Sequence, residues 1–127
     1  MPFLFASSLL LSPPLASPRA SSYPLTAAQV VASLEGSLRR LGTDHVDIFQ
    51  LHGIAPAQYA QAMELVPALL RARDQGKFRF LGITDVFSED DNRIHLVKAA
   101  QDGVFDTVMV GYNLLTPGPE QDVLPAA

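Results

Sequence analysis

At 127 residues the chain has room for one domain and no more by the usual length prior. Its 48% hydrophobic and 17% charged residues are a globular composition, and a net charge of -4 with no basic cluster beyond Arg39-Arg40 argues against a nucleic-acid surface. With no cysteine there is no disulfide framework and no thiolate metal site.

Residues 1–25, MPFLFASSLLLSPPLASPRASSYPL, stand apart. Their one charged side chain is Arg19, and from Pro13 onward prolines alternate with Ser and Ala. FLFASSLLL has the length of a signal-peptide apolar region and LASPRA offers small residues for cleavage, yet no Lys or Arg precedes the apolar run. The segment therefore fits either a signal-like leader or a disordered one, and it is too short to span a bilayer.

From Thr26 the pattern is regular. Thr26 and Gln29 have capping-box spacing, Val30, Leu34, Leu38 and Leu41 recur at helical intervals, and Gly42 ends the segment. HVDIFQL is short, apolar and rich in β-branched and aromatic residues, as a buried strand is. A short helical turn is expected over Pro56–Glu64, then a helix over Leu65–Gln75 that tolerates Pro67 only in its first turn. RFLGIT is the second strand. Ser88 is placed to cap a third helix reaching Gln101, with Glu89, Asp90 and Asp91 in its first turn and Ile94, Val97 and Ala100 on its inner face. FDTVMVGYNLL opens the third strand.

Uniformly apolar strands separated by helices predict an α/β fold with a parallel sheet covered by helices, or part of a closed barrel. Neither common phosphate-loop fingerprint is present. Asp44 and Asp47, three apart at a strand start, read as capping residues rather than a paired-carboxylate or metal site. Lys77 and Arg79 flank the start of the second strand. His45 and His95 read as surface or packing residues.

Three blocks stop being anonymous when taken together: SLRRLGTDHVDIFQLHG, GKFRFLGITD and FDTVMVGYNLL. In order and approximate spacing they resemble the aldo-keto reductases, NAD(P)H-dependent oxidoreductases built on a (β/α)8 TIM barrel. The resemblance covers roughly residues 26–124 and implies a partial barrel over 26–127, from the third helix to the sixth strand, with about three parallel strands and their covering helices. It implies NADP or NAD as cofactor, a small-molecule carbonyl substrate, no membrane partner and a cytoplasmic setting. By the same resemblance His52, at a strand's C-terminal end, is the catalytic residue that orients the substrate carbonyl, in a tetrad with Asp, Tyr and Lys. Thr84 and Asp85 stand where many members carry the Ser-Asn pair that bonds the nicotinamide carboxamide. Met109 stands where a glutamine usually assists them.

The resemblance also implies what to look for and not find. The family's Tyr, Lys and Asp lie on earlier strands; residues 1–25 hold no Lys and no Asp, and Tyr23 sits in no matching motif. The sequence thus reads as the middle of an enzyme, with a non-catalytic barrel fragment or interaction module as the alternative. Exposed strand edges would favour self-association. If the barrel reading holds, His52, Thr84 and Met109 share one rim in strand order.

Overall fold

The computed structural model describes residues 5–7 by their backbone, and residues 26–86 and 93–127 with their side chains. In chain order these form β1 (Phe5–Ser7), α1 (Ala27–Leu41), β2 (Val46–Ile54), α2 (Tyr59–Asp74), β3 (Phe78–Asp85), α3 (Ile94–Gln101), β4 (Thr107–Met109) and the short α4 (Val123–Ala126).

The expected caps are in place on α1. Thr26 Oγ1 accepts the Gln29 backbone N–H at 3.3 Å, and Gln29 Oε1 accepts the Thr26 N–H at 2.7 Å. At the other end Gly42 takes a left-handed φ of 67°, which a side chain would resist, and its N–H returns to the Arg39 carbonyl.

All four strands are parallel, in the order β1-β2-β3-β4. Phe49 and Leu51 of β2 and Leu81 and Ile83 of β3 are fully buried, and Leu34, Leu65, Leu69, Leu96 and Ala99 of the helices join the same core. Alternate positions Ile48 and Phe80 pair with each other and are only half-buried. The helices therefore cover one face of the sheet, as in a barrel wall.

The structure departs from the sequence reading in three places. A fourth strand, β1, lies within the segment read as a leader and pairs Phe5–Ser7 with Ile48–Gln50. An otherwise bare edge of β2 gives any apolar stretch with strand propensity a ladder to join. Next, α2 is one helix with Pro67 in its interior, preceded by a 3₁₀ turn over Pro56–Gln58. Pro67 faces solvent, where water can satisfy the carbonyl it frees, and seven buried residues from Tyr59 to Ala72 hold the helix together. In α3 the inner face is His95, Leu96 and Ala99, while Ile94 is 70% exposed. As expected, the FDTVMVGYNLL stretch opens with a strand; β4 stops after Met109, and Leu114 and Leu115 beyond it are exposed. Ser88 and the acidic run 89–91, like Tyr23, lie outside the described residues.

Candidate active site

The His52-Gly53 pair is a β-bulge. Leu51 pairs with Ile83 and Ile54 with Asp85, so His52 and Gly53 together face the single residue Thr84. The extra residue must turn the chain back into register, and Gly53 does so at a φ of 66°, where a side chain would be strained. The turn aims the Gly53 N–H at Thr84 Oγ1, which accepts it at 2.7 Å. The same hydroxyl lies 3.1 Å from His52 Nδ1. A hydroxyl has one proton and two lone pairs, so with the Gly53 N–H on one lone pair it can still donate to Nδ1. In that arrangement the ring proton sits on Nε2.

Thr84 pairs in register with Met109 on β4. His52, Thr84 and Met109 thus stand at the C-terminal ends of three successive parallel strands, in the order that a barrel rim requires. His52 and Met109 are exposed there, whereas Thr84 is buried.

A second level lies directly beneath. Gln50 pairs with Gly82, and Gly82 with Thr107. The Gln50 side chain crosses Gly82, since a Cβ built there would fall 2.7 Å from Gln50 Cγ and 2.4 Å from Thr107 Oγ1. Gln50 Oε1 and Thr107 Oγ1 are buried without a hydrogen-bond partner. Sequence reasoning passed over this level, although Gln50 is an amide in an apolar run, two residues before His52, and that spacing is the signal. Gly82→Ala is expected to destabilise the chain by about 1–3 kcal/mol through overpacking, read from chemical denaturation. Thr107→Ala in the same chain should recover part of the loss.

Asp85 belongs to a different environment. Its carboxylate lies 3.4 Å from Nε2 of His95 on α3. Burial pushes the Asp85 carboxyl above its ordinary value, and the nearby His95 and Arg93 oppose that shift. Tyr59 of α2 packs edge-on to the His95 ring at 6.4 Å and gives its hydroxyl proton to Asp102. Burial and that bond push the Tyr59 phenol upward. His95 is thus a packing residue as read, but a buried one beside a carboxylate.

The residues expected at a nicotinamide carboxamide fit it poorly in this arrangement. The Thr84 hydroxyl is already engaged by Gly53 and His52, the Asp85 carboxylate is turned to α3, and the Met109 thioether is at best a weak acceptor.

The remaining candidates sit at the opposite end of the strands. Asp47 pairs with Arg79 at 2.7 Å and Lys77 with Glu35 at 2.6 Å, while Asp44 bonds the ring of His45 on the surface. Asp47 therefore bridges β2 and β3. Among the described residues no group of three His, Cys, Asp or Glu could hold a metal ion, and no helix is long and apolar enough to cross a membrane.

A sequence model of the Aldo/keto reductase family matches residues 15–127. The chain belongs to this family. Among curated aldo-keto reductases and their kin, it is 30% identical over 100 residues to the aldo-keto reductase YhdN of Bacillus subtilis, covering 79% of this chain and 28% of that protein. It is 28% identical over 102 residues to the NADH-specific methylglyoxal reductase of Escherichia coli, covering 80% and 30%. Among solved structures, the aldo/keto reductase of Klebsiella pneumoniae in complex with NADP and acetate superposes with a TM-score of 0.58 at 33% identity, covering 77% of this chain and 33% of that one. The glycerol dehydrogenase of Gluconobacter oxydans gives 0.58 at 29% identity, covering 80% and 29%. The chain thus spans about a third or less of the length of these relatives. Its strands and helices are a section of the family's TIM barrel.

Proposed function

We propose that this chain carries the carbonyl-orienting section of an NAD(P)H-dependent aldo-keto reductase, with a small aldehyde or ketone as substrate. The observation that carries the reading is the bulge. It places an exposed histidine at a strand's C-terminal end, where barrel chemistry resides, with Nδ1 beside a buried hydroxyl. With that hydroxyl donating, His52 Nε2–H is the donor that meets the substrate's carbonyl oxygen. In the family the reduced cofactor, NADPH or NADH, supplies the hydride, and its binding here would require groups beyond Thr84 and Asp85. The second reading, a non-catalytic barrel fragment, gains support from the poor fit at the carboxamide. Self-association through the outer edges of β1 and β4 belongs to that reading, and size-exclusion chromatography tests it.

The deciding experiment grafts residues 26–124 into the NADH-specific methylglyoxal reductase of Escherichia coli in place of its matching segment and follows NADH oxidation with methylglyoxal. The chimera is expected to turn over. His52→Ala should lower kcat/KM by about 10²-fold or more, and Thr84→Val by about 10-fold through the loosened ring. A chimera indifferent to His52→Ala, or folded and inactive, would count against the assignment.

A further inference from the structure

Directly behind the rim a titratable pair is left over by the proposed chemistry. His95 is 4% exposed, and neither ring nitrogen has a hydrogen-bond partner within ordinary limits. Leaving an imidazole N–H buried and unpaired is costly, so the nearest acceptor matters. That acceptor is Asp85 Oδ1, 3.4 Å from Nε2, on a side chain only 15% exposed. A small rotation of either side chain closes the bond.

The groups packed around the pair are otherwise occupied. From α2, Tyr59 has spent its hydroxyl on Asp102, and Lys98 Nζ lies 5.7 Å over the Tyr59 ring. At the start of α3 the Arg93 guanidinium is buried and 3.6 Å from Asp122 of the C-terminal segment.

We propose that Asp85 and His95 form a buried latch holding α3 against the rim strand, with the carboxyl and imidazole Nε2 keeping one proton between them. Asp85 follows Thr84 directly on β3, so the latch fixes the strand end whose hydroxyl steadies His52. Both residues are positioning residues and touch no reacting atom.

The sign of the pH dependence follows from the upward shift of the Asp85 carboxyl. A carboxyl raised in the folded state contributes stability that is complete below its free value of 3.8 and is lost as pH rises through the higher folded value. Asp85→Asn removes that loss, so the variant should gain on the wild type in Tm as pH rises from 3.8. His95→Phe strands the carboxyl and should lower Tm by about 5 °C or more at neutral pH. Adding Asp85→Asn to His95→Phe should recover part of the drop, because the two changes remove one interaction.

The readout that a merely structural contact would not move is ring NMR on the 127-residue chain. The ¹⁵N signals of His95 should report a protonated, hydrogen-bonded Nε2 and should shift in Asp85→Asn, while those of His45 stay fixed. Unchanged His95 signals, or strictly additive melting effects, would overturn the latch. Should His95→Phe fail to fold, the comparison of wild type with Asp85→Asn decides alone.

Discussion

The 127-residue chain by itself is expected to oxidise NADPH no faster than buffer with any aldehyde or quinone, measured by steady-state absorbance. Carbonyl reduction needs a general acid for the developing alkoxide, and a positioned acid is worth about 10²- to 10⁴-fold. His52 orients the carbonyl in the proposed scheme, but the family's acid is a tyrosine tuned by Lys and Asp on earlier strands. Residues 1–25 supply neither Lys nor Asp, and Thr26 onward matches later strands. Among the described residues the phenols offer no substitute. Burial pushes Tyr59 upward and its O–H is already donated in a hydrogen bond to Asp102, while Tyr112 is raised by its bond to Glu120. In the same scheme the nicotinamide is poorly served, since the Met109 thioether is at best a weak acceptor and the Asp85 carboxylate is turned to α3. Turnover above background that His52→Ala abolishes would refute this and require another acid in the chain.

The path from sequence to site was legible where it ran through local rules. Thr26 and Gln29 announced the α1 cap because the capping box is written within four residues. HVDIFQL announced β2, and the family blocks placed His52, Thr84 and Met109 on neighbouring strand ends, where the register puts them. Less legible was whatever depended on distant partners. At the His52-Gly53 bulge the Gly53 N–H is met by the hydroxyl of Thr84, 31 residues beyond it. Pro67 looked like a helix boundary, because the local penalty is visible in sequence and the seven buried contacts that override it are not. For α3, Ile94-Val97-Ala100 and His95-Leu96-Ala99 both fit helical periodicity. Hydropathy favoured the first, and the carboxylate of Asp85 and the ring of Tyr59 give His95 a place inside. Asp85 itself was read from its position in a motif, and only the fold reveals that its neighbour is His95.

Phe49→Ala should be the most damaging single truncation, costing about 3–5 kcal/mol by urea denaturation. Phe49 is 0% exposed, packs on Phe78 with ring centroids 5.5 Å apart and points to the helix-covered face. A domain of this size commands only about 5–15 kcal/mol in total, so the loss should be a large fraction of the whole and clearly visible as a lower urea midpoint. The informative control is the adjacent residue. Ile48 lies on the opposite face of β2, half-buried beside Phe80, where none of the described helices covers the sheet. Ile48→Ala loses contacts on one side only and should cost about 1–2 kcal/mol, below the range for fully enclosed aliphatic side chains. The ratio of the two effects measures how far the inner barrel surface is closed in solution. Equal losses would mean that the inner face is covered as completely as the outer, so this chain would possess a closed interior that the four described parallel strands do not provide.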